Sequence, residues 1–136
     1  MDRNTAAPAR HALVVETEPV ASRVCTEALR QMGYVAHLAD SGIGAVTAAR
    51  RYRPQVIFVA QQLRDVSGRE AIRWLRSNPD LRATSIVVLD SVADEGPNPD
   101  PLRATAHLRK PISAAALEKT MKEIAALTLG GDDASN

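Results

Sequence analysis

The stretch that decides the fold is Pro54-Gln55-Val56-Ile57-Phe58-Val59-Ala60-Gln61-Gln62-Leu63. Its centre, residues 56–59, is an unbroken apolar run rich in β-branched and aromatic side chains. Such a run predicts a strand that is buried on both faces, as in the centre of a parallel sheet. In open α/β sheets the functional groups lie just beyond the carboxyl ends of such strands. Ala60 occupies that position here, so we expect no side-chain chemistry at this point.

On both sides of this strand, short apolar runs alternate with amphipathic segments. The other predicted strands cover residues 12–15, 34–38, 85–89 and 106–109, and the predicted helices begin at Pro19, after Ser41, at Gly68 and after Ser113. This alternation predicts a parallel sheet with helices on both faces and right-handed crossovers. We assign residues 11–129 to one domain, with a disordered lead (1–10) and a disordered tail (130–136).

Three details of the helices can be predicted from residue type. Thr17 or Glu18 is expected to cap the first helix, which ends at Gly33. The inward faces are predicted to carry Val20, Val24 and Ala28 in the first helix and Leu117, Met121, Ile124 and Leu127 in the last. Between the fourth and fifth strands, Pro97, Pro99 and Pro101 exclude a regular helix, so the helix there is expected to be short or irregular.

Composition excludes several classes of function. The chain has 136 residues, 45% of them apolar, and 17 basic against 16 acidic residues leave a net charge of +1. Because the overall charge is near zero and only 3% of the residues are aromatic, we expect no nucleic-acid partner. The arginine clusters at residues 50–53 and 69–76 are interpreted as solvated faces.

The single cysteine, Cys25, excludes an internal disulfide and a multi-cysteine metal site. It falls in a helical apolar pattern, which indicates a buried structural thiol. The first ten residues contain no signal-like apolar segment, and no run approaches the roughly 18 apolar residues of a membrane span. We therefore expect a cytoplasmic protein that has no membrane partner.

Four anchors along the chain carry a family resemblance. They are the strand, acidic turn and proline of residues 13–19, the strand and loop of 54–68, the strand of 85–91, and the Lys110-Pro111 pair after the last strand. From about His11 to Leu129 the chain resembles the receiver domain of two-component response regulators. The resemblance implies a flavodoxin-like (CheY-like) fold, with a five-stranded parallel sheet of order 2-1-3-4-5 and a Lys-Pro bond that is usually cis.

The resemblance also implies a chemistry, in which a phosphoryl group passes from a kinase histidine to an aspartate beside Mg²⁺ and a lysine. At the matching positions this sequence has Glu16 and Thr17 for the two acids, Ala60 for the acceptor, Asp90 for a hydroxyl residue and Lys110 for the lysine. We therefore expect a degenerate pocket with no catalytic residue, no Mg²⁺ site and no other cofactor. Ion pairing of Lys110 with Glu16 or with Asp90 is predicted in place of the metal.

Simpler interpretations of these residues remain open. Glu16 and Glu18 are alternatively solvated acids, Asp90 a loop acid, and Lys110 part of a structural turn. Asp65 lies too far along the loop to replace the missing acceptor. Asp90 and His107 match the family's switch positions, although the simpler interpretation of His107 is an ordinary surface histidine with no switching role.

The expected function is that of a stand-alone pseudo-receiver, which is not an enzyme and acts by phosphorylation-independent binding. Its partner is expected to be a histidine kinase or a phosphotransfer protein, with self-association as a further possibility. The predicted binding residues are Val20, Arg23, Val24 and Pro111. The alternatives are a receiver that uses an unconventional acceptor or senses phosphate non-covalently, and an enzyme of another kind. The sequence has no Gly-rich phosphate loop after the first strand, which argues against an enzyme of another kind.

Overall fold

A computed structural model describes residues 9–90 and 104–134 of the chain. Its elements are β1 (Arg10–Val15), α1 (Pro19–Gln31), β2 (Tyr34–Ala39), α2 (Gly42–Tyr52), β3 (Val56–Ala60), α3 (Gly68–Arg76), a short 3₁₀ turn (Pro79–Leu81), β4 (Ser85–Asp90), β5 (Ala106–Arg109) and α4 (Ala114–Ala134). The five strands are parallel, in the order β2-β1-β3-β4-β5. The predicted fold and strand order are thus confirmed.

The central strand β3 supplies both layers of the core. All five of its residues are buried. Because side chains alternate across a strand, Phe58 packs with α1 and α4, whereas Ile57 and Val59 pack with α2 and α3. Residues outside strand β3 complete the two layers, among them Val14, Leu29 and Leu117 on the first face and Leu13, Ile72 and Leu75 on the second.

Serine side chains begin three of the helices. The Oγ atoms of Ser41, Ser67 and Ser113 accept hydrogen bonds from backbone N–H groups in the first turns of α2, α3 and α4, at 2.9, 3.1 and 3.1 Å. Each such cap contributes about 0.5–2 kcal/mol of stability. Gly33 follows α1 at a φ of +93°, a conformation that favours glycine. The predicted starts of α2 and α3, the predicted cap at Ser113 and the predicted end of α1 at Gly33 are confirmed, whereas the caps at Ser41 and Ser67 were not predicted.

The beginning of α1 differs from the prediction. Glu18 stands at the cap position, but no side chain caps the helix there. Instead, Oε2 of Glu16 accepts hydrogen bonds from the backbone N–H groups of Thr17 and Glu18. A buried carboxylate at the end of β1 therefore organises this turn.

Two apolar residues predicted to face the core are exposed. Val20 is 71% exposed, because the inward face of α1 consists of Ala21, Cys25, Ala28 and Leu29. Along α4 the exposed fraction rises from 0% at Leu117 to 7% at Met121 and 65% at Leu127. The helix leaves the core as it proceeds, so its last predicted inward position was wrong.

Two boundaries and one segment complete the comparison with the predictions. Strand β1 begins at Arg10, inside the lead (1–10) that we expected to be disordered. Helix α4 continues to Ala134, beyond Leu129, where we expected the domain to end and a tail to begin. The proline-rich segment 91–103 lies outside the described residues, and so does the predicted irregular helix. Within the described ranges, no helix combines the length and the apolar character needed to cross a membrane.

Candidate functional site

The parallel strands bring the predicted pocket residues to one edge of the sheet. Glu16 follows β1, Ala60 ends β3 and Lys110 follows β5. The Nζ atom of Lys110 lies 2.8 Å from Oε1 of Glu16, and the two side chains are 21% and 1% exposed. Of the two ion pairs that we predicted, the structure contains the one with Glu16. The side chain of Asp90 lies outside the described part of the chain.

Both oxygens of the Glu16 carboxylate are engaged. Oε2 accepts hydrogen bonds from the N–H groups of Thr17 and Glu18 at 2.9 and 3.0 Å. The ammonium of Lys110 is the ion-pair partner of Oε1, which accepts no hydrogen bond from the described residues. A buried carboxylate requires such partners, because an unpaired buried charge costs several kcal/mol. The interpretation of Glu16 as a solvated acid is therefore wrong.

Lys110 has a second anionic neighbour. Oε1 of Glu18, whose side chain is 56% exposed, lies 3.3 Å from the Lys110 Nζ atom. Burial by itself lowers the pKa of Lys110, but the close contacts with the carboxylates of Glu16 and Glu18 and the charges of both outweigh it, so the pKa of Lys110 is raised above 10.5. The lysine therefore stays protonated over the physiological range, and the three side chains together carry a net charge of −1.

Ala60 presents a methyl group at the carboxyl end of β3 and is 2% exposed. The loop that follows folds back over this strand end, since the N–H of Gly68 donates to the carbonyl of Gln61 at 2.8 Å. A Cβ atom at position 68 would collide with the carbonyl oxygen of Ala60. Glycine at the start of α3 is therefore required for this close approach.

Asp65, the acidic residue of the same loop, has a structural role that the sequence analysis did not find. Its carboxylate accepts hydrogen bonds from the backbone N–H groups of Gly42 and Ile43 at 2.7 and 3.1 Å. It also accepts a hydrogen bond from the N–H of Val66 at 2.8 Å. The hydrogen bond from Gly42, the largest cause, and the other backbone donors lower the pKa of Asp65. Asp65 thus caps α2 from the neighbouring loop. No local sequence pattern signals a contact across such a distance along the chain.

Two other predicted site residues, Thr17 and His107, are exposed. The switch roles predicted for Asp90 and His107 stay predictions. Cys25, in contrast, is fully buried, as predicted. Burial, together with the charge of Glu16 and partly offset by that of Lys110, raises the pKa of Cys25 to about 12, so this thiol remains protonated and unreactive.

Three of the four predicted binding residues border one groove beside the pocket. The groove has a volume of about 390 Å³ and is lined by Glu18, Val20, Ala21, Val24, Lys110, Pro111 and Ile112. The Lys110–Pro111 bond at its edge is cis, as the family resemblance implied. Arg23 is exposed on α1 but does not line the groove.

The comparison with protein families agrees with this geometry. The model of the response regulator receiver domain matches residues 12–122. The chain belongs to this family. It is therefore a receiver-domain response regulator of two-component signalling, and receiver domains generally interact with histidine kinases or phosphotransfer proteins.

Individual relatives of this receiver domain differ in length. It is 40% identical over 83 residues to the probable transcriptional regulatory protein TcrX of Mycobacterium tuberculosis, an alignment that covers 60% of this chain and 36% of TcrX. The polar-differentiation response regulator DivK of Brucella anthropi is 27% identical over 113 residues, covering 81% of this chain and 91% of DivK.

Solved structures show the same architecture. The receiver domain of the sensor histidine kinase PA1611 of Pseudomonas aeruginosa superimposes with a TM-score of 0.76 and 30% identity, covering 87% of this chain and 99% of that one. That structure has a magnesium ion coordinated in its active-site cleft. The chemotaxis response regulator CheY4 of Vibrio cholerae, at 22% identity and a TM-score of 0.78 over 86% of this chain and 99% of that one, shares the fold.

Proposed function

We propose that this receiver domain signals by binding a partner and not through an aspartyl phosphate. The observation that carries the proposal is the 2.8 Å ion pair between Lys110 and Glu16, at the sheet edge where β3 ends in Ala60. An acyl phosphate requires a carboxylate at the acceptor position, and a methyl group cannot form one. On this proposal the domain is a pseudo-receiver without catalytic residues.

The Mg²⁺ ion of the family does not fit the residues present. Mg²⁺ prefers near-octahedral coordination by oxygen and is usually held by one or two carboxylates. Glu16 has no oxygen without a close neighbour, because Oε2 accepts two backbone N–H groups and Oε1, which accepts no hydrogen bond from the described residues, lies 2.8 Å from the ammonium of Lys110. Thr17 provides at most a neutral hydroxyl and Ala60 no side-chain oxygen. The ammonium of Lys110 supplies the positive charge that compensates Glu16.

The groove beside this ion pair is the proposed binding surface. Val20 is an exposed apolar side chain at the start of α1, and Val24 and Pro111 border the same groove. Charged side chains of Glu18 and Lys110 stand at its edge. This combination suits an amphipathic helix that inserts an apolar side chain, as in helix-in-groove recognition. A helical segment of a histidine kinase or of a phosphotransfer protein is the proposed partner.

The first experiment tests phosphorylation. Intact-mass spectrometry after incubation with acetyl phosphate, and with each candidate kinase, is expected to show no added phosphoryl group. A labile adduct on any residue would contradict the proposal and favour a receiver with an unconventional acceptor.

The second experiment tests binding. Pairwise titration against the histidine-kinase dimerisation domains and phosphotransfer proteins of the source genome should identify a partner that binds the unphosphorylated domain. Val20→Ser is expected to weaken that complex about tenfold or more, since it removes a buried apolar contact. Leu38→Ser is the matched control, because Leu38 is 56% exposed but lies on β2, outside the groove. Equal loss in both serine variants would contradict the assigned surface.

A further inference from the structure

A second cleft lies between α2 and α3, at the edge of the sheet opposite the pocket of Glu16 and Lys110. Its volume is about 510 Å³, within the range of ligand-binding clefts. Residues from the end of α2 and from the turn between α3 and β4 line it, which places it at the amino ends of β3 and β4. It is therefore independent of the proposed binding groove.

The floor of this cleft is apolar. Ala49, Leu75 and Leu81 belong to the buried core, and the half-buried Val46 adds to them. Trp74, the single tryptophan of the chain, also lines the cleft. A Cβ atom at Gly42 would lie 2.9 Å from Cζ3 of Trp74, so the indole packs tightly against the beginning of α2.

The charged residues of the lining are two cations and one anion, which leaves a net charge of +1: Arg50, Arg53 and Asp80. Arg53 pairs with Asp80 at 3.5 Å, but these side chains are 71% and 59% exposed. Such an exposed pair is weak and screened by salt. Arg50 is exposed and forms no ion pair or side-chain hydrogen bond with residues 9–90 and 104–134. The cleft thus has an uncompensated guanidinium beside an apolar floor.

The backbone conformation of Arg53 indicates that its side chain has a role in the cleft. Arg53 ends α2 in the left-handed conformation, with φ 48° and ψ 62°. Glycine is the usual residue at such a position because it adopts this conformation without steric cost. An arginine here directs a guanidinium to the cleft at the expense of backbone strain.

We propose that this cleft binds a small organic anion whose charge is attached to a flat apolar ring. The ring packs against Trp74 and the apolar floor, and the anionic group interacts with Arg50 and Arg53. Both parts of the ligand are needed, since exposed guanidinium groups by themselves attract an anion weakly in water.

Three probes separate these contributions. 8-Anilinonaphthalene-1-sulfonate carries an aromatic ring system and a sulfonate, N-phenyl-1-naphthylamine has the same rings without the charge, and inorganic phosphate has charge without rings. Because Trp74 is the single tryptophan, quenching of its emission reports binding of a dye to the domain, and the arginine variants test whether that binding is at the cleft. The sulfonate dye is expected to quench Trp74 saturably, and the other two probes much more weakly.

Arg50→Gln tests the charge. The substitution is expected to weaken binding of the sulfonate dye about fivefold, which is the upper range for an exposed ionic contact. The thermal unfolding midpoint should not change. Arg69→Gln is the matched control, because Arg69 is exposed on α3 but does not line the cleft. Added salt should weaken dye binding by the wild type more than dye binding by Arg50→Gln. Equal affinity of the two dyes, equal effects of both substitutions, or no quenching of Trp74 would each overturn the proposal.

Discussion

The Nζ atom of Lys110 lies 2.8 Å from Oε1 of Glu16, so an ion pair joins the turn after β5 to the end of β1. The carboxylate is 1% exposed and also accepts the two N–H groups that begin the turn into α1. One buried side chain therefore connects the first strand, the first helix and the last loop. This connection has consequences for stability that are independent of the partner.

Lys110→Met is expected to destabilise the domain by about 2–4 kcal/mol, because it leaves the charge of Glu16 buried without its counterion. Glu16→Gln should cost less, about 1–2 kcal/mol, since Lys110 is partly exposed and retains Glu18. Glu18→Gln serves as the control and should change the free energy of unfolding by less than about 0.5 kcal/mol. Urea denaturation of the variants measures these differences. Equal effects of Lys110→Met and Glu18→Gln would contradict the assigned ion pair.

The same pair predicts a dependence of stability on alkaline pH. The folded pKa of Lys110 is raised above 10.5, so the folded state retains the proton more tightly than the unfolded state does. The resulting stabilisation is complete below about pH 10.4 and is lost as the pH rises through the folded pKa. As the pH rises above about 10.4, the wild type should therefore lose more stability than Lys110→Met. Parallel profiles for the two proteins would argue against this linkage.

A histidine pair between β1 and β2 predicts a second pH dependence. Nδ1 of His11 lies 2.9 Å from Nε2 of His37, and Tyr52 stacks on His37 with ring centroids 3.6 Å apart. Burial, and then the charge of His11, lower the pKa of His37 from 6.5. The unfolded state therefore binds a proton more readily.

The stability contributed by neutral His37 is complete above pH 6.5 and is lost as the pH falls through the folded pKa. The free energy of unfolding of His37→Gln should consequently vary less between pH 7.5 and pH 5 than that of the wild type. A His37→Gln profile that follows the wild-type profile would contradict this prediction.

Gly68→Ala is predicted to destabilise the domain by about 1–3 kcal/mol, the usual cost of forcing an atom into a packed site. The added Cβ would strike the carbonyl oxygen of Ala60, so α3 or the loop after β3 has to shift. Ser67→Ala, which removes the cap of α3 at the preceding residue, separates the cost of a lost cap, about 1 kcal/mol, from that of the collision. Thermal unfolding and the amide spectrum of residues 60–68 report both effects. An unchanged loop spectrum in Gly68→Ala would refute the close approach.

The order of the elements could be predicted because each carries a local signal. The buried run of β3, the helix starts near Ser41 and at Gly68, the cap at Ser113 and Gly33 after α1 all follow from the conformational preferences of a few neighbouring residues. The pairing of Lys110 with Glu16 was one of two predicted alternatives. It could be proposed because the resemblance to the receiver family assigns Glu16, Asp90 and Lys110 to one pocket.

Contacts between distant segments could not be predicted in this way. Asp65 caps α2 from another loop, and His11, His37 and Tyr52 meet from three different elements. Val20 is exposed although its spacing suited the core, because the rotation of α1 against the sheet selects Ala21 and Cys25 instead. These positions depend on how packed elements rotate and approach, which periodicity does not specify.

The sequence by itself thus determined the strands, the helices, the family's sheet order and the methyl group at position 60. The tertiary structure alone decided that Glu16 is buried, that its two oxygens are shared between Lys110 and the turn into α1, and that Trp74 and two arginines border a common cleft. The physical reason is that local preferences act within a few residues of the chain. Burial, charge pairing and cleft formation depend on distances between residues that are far apart in sequence.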